Sequence, residues 1–147
     1  MTWIGQFESR IRFQDPDSTY PLLFVTLSCG SHSINAPACL DTGASATLID
    51  SDVLAPIGWT RLPEVRGQAK LFTGASGAPV WASPLDVTLG LESGEEFEMT
   101  VYGSHQMLSR NLLGQDFLLK VGVGLDTTSA CVYLSSIARV SPIFVAR

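Results

Sequence analysis

The residues most able to do chemistry lie in the octet Ala38-Cys39-Leu40-Asp41-Thr42-Gly43-Ala44-Ser45. An apolar run ends there at Asp41, and burying a carboxylate without partners is unfavourable. Gly43 permits a tight turn after it, and the hydroxyl of Thr42 can fix that turn by hydrogen bonding. We therefore expect Asp41 at the tip of a loop, where its carboxylate is available for proton transfer.

A second motif, Asn111-Leu112-Leu113-Gly114-Gln115-Asp116-Phe117-Leu118, lies downstream. The two octets together resemble the retropepsin-like (retroviral-type) aspartic peptidases. In that family an apolar pair followed by Asp, Thr or Ser, Gly and then Ala or Ser precedes an apolar-apolar-Gly segment with a short helix. The resemblance spans roughly residues 22–134, and the order of the two motifs makes it more specific than either motif alone.

The resemblance implies a mostly β, closed-barrel fold with one lobe per chain and one or two short helices. It also implies an endopeptidase that needs no cofactor or metal and that binds a peptide or protein substrate. Asp41 would be the catalytic residue. The other residues to which the family assigns a role are the loop supports Thr42, Gly43, Ala44 and Ser45, the flap candidates Gly74, Ala75 and Gly77, and the second-motif residues Leu112, Leu113 and Gly114.

Aspartic peptidases use two carboxylates that share one proton, because two such groups a few ångströms apart do not both ionise easily. This chain has one Asp-Thr-Gly triplet. Asp126-Thr127-Thr128 lacks the glycine, and Asp116 belongs to the predicted helix. The second carboxylate is therefore expected from Asp41 of another copy, so the mechanism requires a homodimer. An acidic to mildly acidic optimum is expected because the pair must hold one proton.

One feature of the sequence departs from the family pattern, and a second feature resembles part of it. Ser45 and Gln115 stand where retroviral members often carry an acidic residue and an Arg that pair, and a neutral hydrogen bond is the expected replacement. The segment Leu71-Phe72-Thr73-Gly74-Ala75-Ser76 copies the Asp41 loop with Phe in place of Asp. We interpret it as the tip of a hairpin, since Phe does not titrate and a separation of 31 residues (72 minus 41) is too short for a second lobe.

The composition agrees with one small domain, residues 1–147. Charged residues make up 16% of the chain and hydrophobic residues 46%, which favours a subunit interface. The net charge of −5 argues against nucleic-acid and anionic-membrane partners. Three cysteines without metal-type spacing indicate free thiols in a reducing compartment. No leader or membrane span is recognisable, so a cytoplasmic protein or a fragment of a larger precursor is expected.

Alternating and β-branched patterns predict short strands over residues 3–13, 22–28, 32–40, 47–49, 87–91, 95–102, 130–134 and 143–145. Gly30-Ser31 predicts a hairpin loop, residues 67–87 a long hairpin, and residues 115–121 a short helix. Asp50 or Ser51 is expected to cap a brief helix that ends by Gly58. The interleaved chain ends of family dimers would place residues 3–7 and 143–145 at the interface.

Two other functions are compatible with the sequence. A dimer of the same fold can bind peptides without cutting them, and a purely structural β domain would leave Asp41 without a partner. His32 and His105 are interpreted as surface histidines or as histidines with satisfied hydrogen bonds. Cys39 is interpreted as core packing, and Trp59 and Trp81 as structural residues or groove lining.

Overall fold

The computed structural model describes residues 9–12, 21–73, 77–106, 110–126 and 131–136. Within these ranges the chain forms ten strands, two short α-helices and one 3₁₀ turn. In chain order they are β1 (Ser9–Arg12), β2 (Leu22–Cys29), β3 (His32–Leu40), β4 (Leu48–Asp50), α1 (Ser51–Leu54), the 3₁₀ turn (Ala55–Ile57), β5 (Lys70–Thr73), β6 (Pro79–Leu91), β7 (Glu96–Ser104), β8 (Asn111–Leu113), α2 (Gln115–Leu118), β9 (Val121–Asp126) and β10 (Cys131–Ser136).

Six of the strands close into a barrel. Their hydrogen-bonded order is β2-β3-β8-β4-β7-β6, and β6 pairs with β2 to complete the ring. Strand β5 is added to the outside of β6, while β1, β10 and β9 form a separate three-stranded sheet. The expected mostly β, barrel-like architecture with two short helices is confirmed.

Local sequence explains the predicted turns. In the β2–β3 hairpin Cys29 pairs with His32 across Gly30-Ser31, and Gly30 has a φ of 60°, a value that favours glycine. Helix α1 begins at the carboxylate of Asp50, which accepts a hydrogen bond from the Asp52 amide at 2.8 Å. The following 3₁₀ turn ends at Gly58, whose φ is 110°.

Strand β6 is longer than the sequence pattern predicted, since one strand of 13 residues serves both expected hairpins. It pairs with β5 over Pro79–Ala82 and with β7 over Ser83–Gly90. Pro84 lies beyond the β5 pairing and before the β2 pairing, so it has one neighbouring strand. A residue without an N–H is tolerated there.

The core fills the barrel. Alternating residues of β2, Leu23, Val25 and Leu27, are at most 1% exposed. Phe117 of α2 is fully buried and contacts Phe97 with ring centroids 5.6 Å apart. Burying a side chain of this size contributes about 1.5–3 kcal/mol, which anchors a helix too short to be stable alone.

The structure corrects the predicted helix over residues 115–121. The helix ends at Leu118, because the chain turns at Leu119, which is 74% exposed, and Val121 enters the core at the start of β9. Strand β9 was missed. The predicted strand over 130–134 corresponds to β10, which extends to Ser136, and that over 3–13 is described only as β1. The predicted strand over 143–145 and the expected interface residues 3–7 lie outside the described residues.

No helix in the described part of the chain combines the length and apolar character needed to cross a membrane.

Candidate active site

Asp41 follows the last residue of β3 and is held there by the backbone. Its N–H donates to the Leu113 carbonyl of β8 at 2.9 Å, which extends the β3–β8 pairing by one residue. Its own carbonyl accepts from the Ala44 N–H at 3.2 Å and closes a tight turn. The side chain is half-buried. The carboxylate therefore stands at a loop tip, as expected, with its main chain fixed to the barrel.

The loop itself contacts this carboxylate. The Gly43 N–H donates to Asp41 Oδ1 at 2.8 Å. A Cβ added at Gly43 would lie 3.2 Å from the same oxygen, so glycine leaves room for the amide to approach. Thr42, Gly43 and Ser45 are exposed and Ala44 is half-buried. One carboxylate oxygen is thus oriented by a main-chain donor.

Gly114 lies directly behind the loop and is buried. A Cβ at this position would overlap the Ala46 carbonyl and would lie 2.7 Å from the Ala44 carbonyl oxygen. Both obstacles are backbone atoms, which cannot rotate away. The close approach of β8 to the loop therefore requires glycine here.

Gln115 ties the loop to the start of α2. Its N–H donates to the Ala44 carbonyl at 2.8 Å, and its side-chain amide donates to the Thr42 carbonyl at 2.9 Å. The Gln115 side-chain amide thus reaches the main chain of Thr42, and a neutral hydrogen bond between Ser45 and Gln115 stays a prediction. The two contacts fix the loop on either side of Gly43.

Sequence reasoning missed the contact between Thr47 and Asp116. The Asp116 carboxylate accepts from the Thr47 N–H at 2.9 Å and from the Thr47 hydroxyl at 2.7 Å, and it also accepts from the Phe117 N–H at 2.7 Å. Thr47 is fully buried, and its hydroxyl accepts from the Gly114 N–H at 3.2 Å. The available signal was an Asp in the first turn of a predicted helix, where a carboxylate is favoured.

The two leucines of the second motif face opposite sides of the sheet. Leu113 is fully buried in the barrel core. Leu112 is half-buried and pairs with Cys39 on one side and with Leu48 on the other. Leu112 therefore lies on the sheet face opposite to that of Leu113.

Cys39 is buried, and its thiol donates to the Leu40 carbonyl at 3.5 Å. Burial raises the pKa of the Cys39 thiol above its ordinary 9.0, a hydrogen bond and charge from Arg110 oppose the rise, and the charge of Asp41 adds to it. This thiol stays protonated at neutral pH, so the interpretation of Cys39 as a packing residue is retained and a nucleophilic role is not supported.

The β5–β6 hairpin is present as predicted, with Thr73 opposite Pro79. Its tip residues Gly74 and Ala75 lie outside the described residues, and Gly77 has a φ of 82°. Phe72 packs edge-on against Tyr102 of β7 at 5.4 Å, and the Lys70 ammonium lies about 5 Å from both ring centroids, at 5.2 and 5.3 Å.

Tyr102 connects this hairpin to the loop. Tyr102 pairs with Leu48 of β4, and the Tyr102 N–H donates to the Thr47 carbonyl at 3.0 Å. Strand β4 leaves the Asp41 loop directly. The hairpin and the loop are therefore joined through adjacent strands of one barrel.

The two tryptophans and two histidines considered in the sequence have surroundings other than the Asp41 loop. The Trp59 indole donates to the Ser83 carbonyl at 2.8 Å and packs against Gly103, so Trp59 is structural. Trp81 lines a cavity of about 540 Å³ beside the β5–β6 hairpin. His32 and His105 are exposed. In the part of the chain that the structure describes, no three His, Cys, Asp or Glu side chains are grouped as a metal ion would require.

Comparison with known proteins finds no matching family model and no matching curated protein. Among solved structures, the chain is similar to a retropepsin-like aspartic protease from Rickettsia conorii, with a TM-score of 0.61 and 16% sequence identity over 91% of this chain and 95% of that one. It is also similar to EIAV protease in complex with the inhibitor HBY-793, with a TM-score of 0.54 and 16% identity over 74% of this chain and 91% of that one. The chain has a retropepsin-like fold.

Within this retropepsin-like fold the two sequence motifs meet as expected. Asp41 bonds to Leu113, and the loop that follows Asp41 bonds to Gln115 and packs on Gly114. The structure thus brings the predicted loop residues and second-motif residues into one unit.

Proposed function

We propose that two copies of this chain form an aspartic endopeptidase, in which the Asp41 carboxylates activate a water molecule for peptide hydrolysis. The observation that carries the proposal is the placement of Asp41 at a loop tip, where the Gly43 amide orients its carboxylate. Gly114 packs on the backbone of this loop, and Gln115 hydrogen-bonds to it. The retropepsin-like fold supports it, because its solved neighbours are aspartic proteases.

The need for a second copy follows from the role of Asp116 and from the single Asp-Thr-Gly triplet. Asp116 accepts three hydrogen bonds from Thr47 and Phe117, so its oxygens are engaged in holding the loop. The single Asp-Thr-Gly triplet leaves Asp41 of a symmetric copy as the partner carboxylate. In the homodimer, Thr42 is proposed to hydrogen-bond across the two-fold axis beneath the carboxylates.

The proposed reaction uses one proton shared by the two Asp41 side chains. The ionised carboxylate takes a proton from the bound water as the water oxygen attacks the scissile carbonyl carbon. The protonated carboxyl group donates a hydrogen bond to the carbonyl oxygen as negative charge develops on it. Collapse of the tetrahedral intermediate breaks the C–N bond as the carboxyl group that took the proton from water donates it to the nitrogen of the amine leaving group. No covalent enzyme intermediate forms.

The proposed substrate is an extended peptide. Strand β5 is the outer strand of its sheet, and a groove between subunits would offer main-chain groups to which a peptide can add as a strand. Gly74, Ala75 and Gly77 at the hairpin tip are the proposed flap residues, since small residues let backbone amides approach a ligand closely.

The test compares the wild-type chain with Asp41→Asn on a proteome-derived peptide library across pH. We expect cleavage by the wild type and a loss of roughly 10²–10⁴-fold in the variant, since general acid–base catalysis contributes that much. Asp52→Asn is the matched control, because Asp52 is exposed on α1 and undergoes the same chemical change. Peptide binding without cleavage would support a binding module, and neither activity would support a structural domain.

A mixing experiment tests the shared site directly. Adding excess Asp41→Asn chain to the wild type should lower activity well below that of the wild type alone, because heterodimers hold one carboxylate. Activity that is independent of both the added variant and protein dilution would contradict a site built from two subunits. Sedimentation of the variant alone should show a folded dimer.

A further inference from the structure

Arg110 immediately precedes β8, on the same side of the sheet as Asp41. Asp41 lies two residues after Cys39 and continues the pairing of β3 with β8 by one residue, so the two side chains project from one face. Cys39 pairs in parallel with Leu112, and Arg110 lies two residues before Leu112. Directly paired residues share a face, so the alternation places all four side chains on that face.

The groups that act on the pKa of the Cys39 thiol agree with the placement that the register gives. The Arg110 side chain hydrogen-bonds to Cys39, and both Arg110 and Asp41 act electrostatically on the Cys39 thiol. Two residues along a strand span about 7 Å. Arg110 therefore acts on the residue that lies two positions before Asp41, and Arg110 itself is half-buried.

Between Arg110 and the Asp41 loop, this face carries the side chains of Cys39 and Leu112. Cys39 is buried, and Leu112 is half-buried. Partial burial strengthens a charge-assisted hydrogen bond, and a guanidinium matches the planar geometry of a carboxylate. The positive charge of Arg110 occupies this position whatever other groups its guanidinium also contacts.

We propose that Arg110 is a specificity-determining residue that selects acidic side chains close to the scissile bond. This assignment rests on the proposed endopeptidase function and names its substrate class. A homodimer presents one Arg110 on each side of its two-fold axis, so the preference applies to equivalent substrate positions on both sides of the cleaved bond.

The test uses a cleaved library peptide and its variants with Glu, Gln or Lys at the residues that flank the scissile bond. At pH 6 the Glu side chain is ionised, since its ordinary pKa is about 4.3. For the wild type, kcat/KM should be about tenfold higher for Glu than for Gln, equivalent to about 1.4 kcal/mol. Arg110→Gln should abolish this ratio, and Arg110→Glu should favour Lys over Gln.

Ratios between substrates do not depend on the fraction of folded enzyme, so a destabilised variant still gives an answer. Arg61→Gln is the control, because it removes one positive charge from an exposed side chain outside β3 and β8. Equal rates for Glu and Gln peptides with the wild type, or a ratio unchanged in Arg110→Gln, would overturn the assignment alone. No cleavage of any peptide would overturn the proposed function as well.

Discussion

Replacing Asp116 with Ala tests whether the contact with Thr47 holds the candidate active-site loop. The substitution removes the acceptor for the Thr47 N–H and for the Thr47 hydroxyl, and Thr47 is fully buried. The Phe117 N–H keeps its second acceptor, the Gly114 carbonyl at 3.1 Å. Two donors of one buried residue therefore lose their partner.

The expected cost follows from those two donors. A hydrogen bond to a charged group contributes about 1.5–3 kcal/mol, and the half-buried position of Asp116 admits water, so the lower value applies to each. We expect Asp116→Ala to lower the free energy of unfolding by about 3 kcal/mol. For a domain of this size the melting temperature should fall by roughly 6–12 °C.

Urea denaturation at one fixed protein concentration measures the change, since the stability of a dimer depends on concentration. Thr47→Val keeps the N–H and removes only the hydroxyl, with an expected loss of about 2 kcal/mol. The double variant should lose at least about 1 kcal/mol less than the sum, because both changes break the same hydroxyl–carboxylate bond. Additive losses within about 0.5 kcal/mol would refute the contact. Asp116→Asn, which keeps the shape and one acceptor, should lose less than Asp116→Ala.

The other predictions concern Gly114 and Cys39. Gly114→Ala should destabilise the chain by about 1–3 kcal/mol and lower kcat roughly 100-fold, because the added Cβ must displace loop backbone. The control is Gly90→Ala, where the nearest atom to an added Cβ is 3.5 Å away. Melting and turnover assays should show no change in stability or in kcat for this control. With Cys131 replaced by Ser, half-buried Cys29 should react with a thiol reagent well before Cys39, and the reverse order would contradict the buried position of Cys39. Because the folded-state pKa of Cys39 is raised, the protonated thiol contributes stability that is present below about pH 9 and is lost at higher pH. In urea titrations above pH 9, the free energy of unfolding should therefore fall less for Cys39→Ala than for the wild type.

Local features of the chain were predictable because neighbouring residues determine them. The β2–β3 hairpin depends on the turn at Gly30-Ser31, and its two strands pair from Cys29 and His32 outward. The start of α1 depends on the Asp50 carboxylate two residues from its donor. The Asp41 loop is also local, since its turn closes within three residues.

The contacts that sequence reasoning missed join residues far apart in the chain. Thr47 and Asp116 are 69 residues apart, and Gln115 reaches Thr42 across 73. Partner choice there depends on which strands the barrel brings together, which local patterns do not encode. Strand β9 was missed because Gly122 and Gly124 interrupt its apolar pattern, and glycine is depleted in strands.

Outside the loop itself, the interactions that position Asp41 come from one corner of the barrel, the segment Leu113–Phe117. Leu113 accepts from the Asp41 amide, Gly114 admits the loop backbone, and Gln115 binds two loop carbonyls. Phe117 anchors the same segment in the core. Loop geometry and the docking of α2 are therefore one cooperative unit, so damage to this corner should impair the proposed catalysis before it unfolds the barrel. The same coupling explains how a partly exposed loop can hold a carboxylate to the tolerance that the proposed two-subunit site requires.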